Sequence, residues 1–295
     1  MTPTDEVVIP GVLRWSEYLK RRATWSRTRQ TVGLDALFPK GFEELLFPPE
    51  WLTFAEEVHR KLLGGKRTTA KGIGIDTAEG GDKTTMCAVD EYGILAIRSR
   101  KTPNTSEIRP EAVAFIREWN CPSENICVDR GGGGYELACD LDTYDKIKVR
   151  TVAFGESLSL DPKRGLRMIE ERMENKEERY VYVNRRAQMF YELSWMFNPM
   201  KTFDPQGKPK QPGFGLPWGE ETYEELRRQL EVIPRLMDKE GRYKMLPKNN
   251  PDNDEDTRTL VKLIGHSPDE ADATVLAVHG MLYKQRRRLA GAPRR

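Results

Sequence analysis

No run of apolar residues in this sequence approaches the roughly 18 that a membrane span needs, and its first stretch, MTPTDEVVIPGVLRW, carries acids where a secretory leader has basic and apolar regions. Together these absences predict a cytoplasmic protein with no membrane association. The four cysteines, Cys87, Cys121, Cys127 and Cys139, include no CxxC pair, and three lie in apolar runs. That is the pattern of free thiols used as small buried hydrophobes, in contrast to a zinc site or a disulfide framework. Neither sign of charge is in excess: 48 basic against 46 acidic side chains leave a net +2, so any attraction for nucleic acid must come from local clusters. Internal repeats are absent too.

Nucleotide cradles are also missing. In GGKRTT, residues 64–69, Gly-Lys is followed by Arg where a phosphate loop has Ser or Thr, and neither the earlier glycine nor a buried strand precedes it. The four glycines of VDRGGGGYELACDL, residues 128–141, lack both a following Lys-Ser/Thr and the G-x-G-x-x-G spacing. ATP and dinucleotide sites therefore have no support.

What is present is a globular chain: 38% hydrophobic over 295 residues, enough for one large core or two small ones, with 32% charged. Residues 1–68 read as a connecting and docking segment, in which EEVHRKLL is helical and VVIP, LFPKGF and LFPPEWL are proline-punctuated connectors. Residues 69–283 read as the main domain. GIGIDTA, TTMCAVD and GILAIRSR are three strands in a meander, SEIRPEAVAFIREWN has helical spacing, NICVD is a short buried strand, GYELACDL begins a helix and VRTVAF is a further strand. The order βββαβαβ predicts an α/β fold with a mixed central sheet flanked by helices. Beyond it, NRRAQMFYELSWMF and EETYEELRRQLEVI are amphipathic helices, RLMDKEGRYKMLPK is a hairpin turning at Lys239 to Gly241, and SPDEADATVLAVHGML is the last helix. Residues 284–295 form a basic tail. The tail and the front cluster LKRRATWSRTR, with Trp25 among basic residues, each fit either a solvated run of charge or a grip on DNA phosphates.

The chemistry sits in the acids. Asp76 closes the first strand and Asp129 the fourth, so if those strands pair in parallel their carboxylates emerge side by side. Either alone reads as well as a turn-capping aspartate. In HSPDEADATVLAV, Ser267 is a natural N-cap, Pro268 suits the first helical position and Glu270 completes a capping box, which gives Asp269 a sufficient role at the helix dipole. Asp272 lies a turn further in, among small apolar residues, where an ionised carboxylate is costly without a cation or donor. Three such carboxylates make a hard oxygen site suited to Mg²⁺ or Mn²⁺, and two-metal phosphodiester hydrolysis is the reaction that uses one.

With these residues in view, the segments GIDTAEGGDKTTMCAVD, ICVDRGGGGYELACDL and GRYKMLPK leading into GHSPDEADA resemble, in order and spacing, the nuclease domain of phage large terminase subunits. That domain belongs to the RNase H-like (retroviral integrase-like) superfamily. The front section, with DEVVIPGVLRWSEYL and LLFPPEWLTFAEEV, is similar to the connector after the ATPase domain of those proteins, so the resemblance spans nearly the whole chain. It implies two Mg²⁺ or Mn²⁺ ions held by Asp76, Asp129 and Asp272, with Asp269 as accessory, and a phosphate contact at Lys248. Arg130, Gly131 and Gly132 are expected on the same DNA surface, the glycines because without Cβ atoms they leave room for a DNA backbone at the strand end. Asp82 reads as a turn residue of the same motif. The implied activity is endonucleolytic cleavage of double-stranded DNA in genome packaging, with a packaging ATPase, a small terminase subunit and a portal as partners. The chain departs from the family's pattern in having no phosphate loop, so it is expected to be a fragment, a split-gene subunit or a stand-alone nuclease. Another RNase H-like nuclease, such as a junction resolvase or transposase, and a non-catalytic DNA-binding or docking subunit of the motor remain as alternatives.

Overall fold

The computed structural model describes residues 16, 18–19, 44–62, 67–78, 82–102, 105–158, 182–199, 213–239, 241–249 and 257–283. VVIP, LFPKGF, most of the front basic cluster with Trp25, the acidic loop 250–256 and the basic tail lie outside them. The chain divides into two compact units, Met1–Glu44 and Leu45–Arg295. The boundary expected at 68/69 therefore falls inside the second unit. The reason is apolar: Leu46, Phe47, Leu52 and Ala55 are buried in the same core as the later helices, and the Leu46 N–H donates to the Ile233 carbonyl at 2.8 Å. LFPPEWL is correspondingly not all connector. Helix α1 (Pro49–Leu62) starts within it at the second proline, a residue preset for a first helical position.

The sheet follows the order read from the sequence. Strands β1 (Gly72–Asp76), β2 (Lys83–Asp90) and β3 (Gly93–Lys101) form the meander, followed by α2 (Thr105–Trp119), β4 (Ile126–Asp129), α3 (Gly134–Asp145) and β5 (Arg150–Val152). The spatial order is β3-β2-β1-β4-β5, antiparallel through β1 and parallel from β1 to β4 to β5. Helix α4 (Arg185–Phe197), α5 (Glu221–Glu231), the hairpin β6 (Leu236–Met237) and β7 (Tyr243–Lys244), the short α6 (Leu260–Ile264) and α7 (Asp269–Leu282) follow among the described residues. No helix among the described residues is long and apolar enough to cross a membrane.

Alternation along the strands sorts the core into two layers. Ile73, Ile75, Met86, Ala88, Ile126 and Val128 face α2 and α3. The opposite face carries Cys87, Val89 and Cys127 against α1, α4, α5 and α7. Cys87, Cys121 and Cys127 are buried free thiols, whereas Cys139 is exposed on α3.

On that second face β1 presents Gly72, Gly74 and Asp76. A Cβ at Gly72 would stand 2.2 Å from the Ala277 carbonyl oxygen, and one at Gly74 2.0 Å from that of Ala273. Helix α7 thus lies directly on the strand backbone, antiparallel to it. Four helical residues advance about 6 Å and two strand residues about 6.6 Å, so the pairing of Ala277 with Gly72 and Ala273 with Gly74 carries on to Asp76 beside the first turn of α7. Residues Asp269 to Gly280 of α7 are all buried.

Gly74→Val is expected to overpack this contact by about 3 kcal/mol or more and to lower Tm by at least about 6 °C. Gly155→Ala, with nothing within 4 Å of the added carbon, serves as the neutral control; thermal unfolding by circular dichroism checks both.

Candidate active site

The parallel pairing of Ile75 with Val128 makes Asp76 and Asp129 neighbours at the carboxyl ends of β1 and β4, the arrangement expected from the strand order. Asp76 is only 5% exposed, whereas Asp129 opens partly to solvent. From the other side, α7 brings Asp269 and Asp272, which are 5% and 1% exposed. Four carboxylates from three separate parts of the chain converge where the sheet ends.

Their protonation reflects the crowding. Burial raises Asp76 well above the usual carboxylate range, with Asp272, Asp129 and Asp269 adding to the rise and Lys248 opposing it. Asp129 is raised by burial and by Asp272, against the Gly131 N–H, Lys248 and Arg186. Asp269 is raised chiefly by burial, against hydrogen bonding at its own carboxylate and the charge of Lys248. Two cations answer this excess of negative charge. Nη2 of Arg186 lies 2.6 and 2.8 Å from the two oxygens of Asp272, and its guanidinium sits over the rings of Phe154 and Phe190 at 5.0 and 5.5 Å. Nζ of Lys248 is 3.4 Å from Asp272 and 4.0 Å from Asp269. Burial disfavours the Lys248 charge, but Asp272, Asp76 and Asp269 outweigh it and hold its pKa above the ordinary lysine value. The lysine that follows the hairpin is therefore part of the cluster, not a solvated side chain.

The glycine turn has a different job from the one expected. Gly132 and Gly133 adopt left-handed backbone with φ of 55° and 82°. A Cβ at Gly132 would fall 2.3 Å from the Thr77 carbonyl oxygen, and one at Gly134 1.9 Å from that of Asp129. The turn folds back onto the end of β1, and the Thr77 hydroxyl donates to the Gly131 carbonyl at 3.2 Å. Gly132 thus serves loop packing, and the room for substrate read into it from the sequence is filled by the protein's own backbone. Gly131 is exposed, and a Cβ there would meet only the Asp129 carboxylate, at 3.1 Å. Arg130 is exposed beside Asp129, and Asp82 is exposed immediately before β2.

The capping box at the start of α7 does not form. The N-cap is Pro268, without a side-chain cap. Ser267 Oγ is buried and makes no hydrogen bond of good geometry, although it lies close enough to Asp269 to favour the ionised form. Gln229 of α5 supplies the cap instead, its Oε1 accepting from the Ala271 N–H at 2.9 Å. The backbone N–H of Lys83 donates to Asp269 at 3.1 Å.

Arg186 and Gln229 escaped the sequence reading. Arg186 did leave a signal: two arginines at the start of a helix oppose its dipole, which calls for an anionic partner elsewhere. Gln229 left none, because an amide within an amphipathic helix looks like a surface residue.

The chemistry of the donor set fits a hard divalent cation, since it is all carboxylate, in excess over its two counter-cations, and already holds the Lys248 ammonium beside Asp272 and Asp269. As they stand, no three His, Cys, Asp or Glu side chains among the described residues converge tightly enough to enclose an ion. Asp272 is instead engaged by Arg186 and Lys248, so ligation requires the carboxylates to turn from these partners toward one another.

No family model matches the chain, and no curated protein matches it. Among solved structures, the nuclease domain of the large terminase subunit gp2 of bacterial virus Sf6 is similar with a TM-score of 0.58 at 22% identity, covering 80% of this chain and 98% of that one. A point mutant of that domain with manganese and beta-thujaplicinol gives 0.59 at 22% identity, with 80% and 98% covered. A mutant gp2 fragment with calcium gives 0.60 at 21% identity, with 80% and 99% covered. The five-stranded mixed sheet and its flanking helices thus share the fold of these large terminase nuclease domains.

Proposed function

We propose that the protein is a metal-dependent endonuclease that cuts double-stranded DNA during phage genome packaging, as the nuclease part of a large terminase. The observation that carries this reading is the convergence of Asp76, Asp129, Asp269 and Asp272 at the end of the β1–β4 pair, in a fold that similar terminase nuclease domains share. Asp76, Asp129 and Asp272 would hold two Mg²⁺ or Mn²⁺ ions, with Asp269 assisting. Such ions, when bound, supply a water of lowered pKa and neutralise charge at the leaving 3′ oxygen.

The chain's own residues then have distinct tasks. Arg186 holds Asp272 by both oxygens in the metal-free protein and balances its charge until a cation takes that place. Lys248, whose side chain is 29% exposed, reaches from the carboxylates to the scissile phosphate. Arg130 and Gly131, exposed next to Asp129, face the DNA backbone. Cleavage with little base readout is part of this reading. ATP hydrolysis, the small terminase subunit and the portal belong to the partners of this nuclease in the host cytoplasm.

Asp129→Asn is expected to lower Mn²⁺-dependent cleavage of a supercoiled plasmid by more than about a hundredfold, beyond what loss of a residue that only orients a ligand costs, and to weaken Mn²⁺ binding measured by calorimetry. Wild-type protein that neither cuts nor binds Mn²⁺, alone or with a packaging ATPase and portal added, would sink the nuclease reading. Faster cutting of a synthetic four-way junction than of the plasmid would favour a resolvase.

Because Asp76, Asp129 and Asp269 are raised in the fold, the metal-free protein is most stable while they are protonated and loses stability as pH rises through their folded values. Metal-free Tm is therefore expected to fall between the ordinary carboxylate range and neutral pH. Asp76→Asn should flatten that fall and raise Tm at neutral pH while reducing the upward shift caused by Mn²⁺; scanning fluorimetry across pH measures both.

The two glycines should separate. Gly132→Ala costs more than about 1–2 kcal/mol of stability from its left-handed backbone alone, whereas Gly131→Ala leaves the unfolding midpoint near wild type and lowers cleavage by crowding Asp129. Urea unfolding alongside the plasmid assay checks the contrast.

A further inference from the structure

The helix that delivers Asp269 and Asp272 lies on a smooth surface. Against β1 it packs Ala273 and Ala277 on glycine backbone, and its Gly280 would meet the Asn125 carbonyl oxygen at 2.1 Å if it carried a Cβ. Contacts between such small residues bring backbones close, but they offer few interlocking side chains to stop a helix rotating about its axis or sliding along it. A modest rotation would carry Asp272 away from Asp76, so something must pin the first turn.

Glu270 stands on that turn, 1% exposed, and points away from the four acids. Its Oε1 accepts from Ser99 Oγ of β3 at 2.8 Å and lies 3.4 Å from Lys83 Nζ of β2; its Oε2 accepts from Gln229 Nε2 at 2.5 Å. Gln229 is fully buried; its Nε2 also donates to Glu225 Oε1 at 3.2 Å, and its Oε1 accepts from the Ala271 N–H. The same Lys83 donates its backbone N–H to Asp269. Ser99 is tied in turn to Thr85 Oγ1 at 2.7 Å. The ring of bonds therefore joins α5, α7, β2 and β3 around the start of one helix. A buried carboxylate with its partners is no more stabilising than apolar residues of the same volume; what it adds is one defined arrangement.

We propose that Glu270 and Gln229 form a positioning latch, which sets the rotation of α7 so that Asp269 and Asp272 meet Asp76 and Asp129. The inference rests on the nuclease reading for its functional consequence, while the latch itself is a property of the metal-free fold. Neither residue touches the reacting groups; both act through the helix.

The bonding pattern lends itself to a double-mutant cycle. Glu270→Ala removes the acceptor shared by Gln229, Ser99 and Lys83, and Gln229→Ala removes both the donor to Glu270 and the cap on the Ala271 N–H. Each single variant is expected to raise the Mn²⁺ concentration for half-maximal plasmid cleavage by about ten- to a hundredfold. The double variant is expected to raise it no more than about threefold beyond the worse single, because both residues act through one arrangement. Leu230→Ala, a core truncation in α5, is the control. It should lower Tm without moving that concentration, as a merely structural role for the latch would also do.

Amide hydrogen exchange of residues 270–272 in metal-free protein supplies the independent readout: faster in each single variant, and little faster again in the double. Unchanged exchange in Glu270→Ala, or a double variant whose effect is the product of the two singles, overturns the latch. Wild-type protein that binds no Mn²⁺ and cuts nothing overturns the nuclease reading alone, since exchange still reports whether the latch holds the helix.

Discussion

The contact between α7 and the glycine face of β1 is the constraint on which the rest of the unit depends. Only where Gly72 and Gly74 present bare backbone can a helix lie directly on the strand, and only then do the acids in its first turn come level with the strand-end acids. A side chain at either glycine would lift the helix, and the lift would be felt first by the carboxylates that have no other route to Asp76. Packing and site are therefore one feature seen from two sides. The apolar length of α7 stabilises the core, and its polar first turn is carried into place by that packing.

Bringing four carboxylates together is unfavourable, and the fold meets the cost in three ways. Burial raises the pKa of Asp76, Asp129 and Asp269 above the ordinary carboxylate value, which eases their charge. Arg186 takes Asp272 by both oxygens from a pocket between two aromatic rings. Lys248 sets its ammonium against Asp272 and near Asp269, doing in the metal-free protein some of what a divalent cation would do in the loaded one. A site built this way is strained by charge until a hard cation arrives, which is the condition for ion binding to be favourable.

Much of this was legible from the chain. Period-two alternation marked β1, short apolar runs marked β2 to β4, helical spacing marked α2, α4 and α5, and strand-end position singled out Asp76 and Asp129. Lys248 gained its place only by resemblance, since a lone lysine after a hairpin carries no signal of burial. The start of α7 was misread for a local reason: Ser267 and Glu270 have the spacing of a capping box, but a buried helix start can draw its cap from a neighbouring element, here Gln229, and release Glu270 for a bond across to β3. The glycines of 131–134 were read as space for a substrate, whereas Gly132 and Gly134 are needed because Thr77 and Asp129 backbone already occupies that space.

The sequence by itself determined the order of elements, the two-layer core and which carboxylates stand where strands and helices end, because periodicity and end position are properties of neighbours along the chain. Tertiary structure alone decided that Arg186 would face Asp272, that Gln229 would cap α7, and that the helix would settle at the depth and rotation that align its acids with those of the sheet. Those outcomes depend on residues far apart in the chain meeting at hydrogen-bonding distance, and such meetings are set by close packing of backbones, which no local pattern encodes.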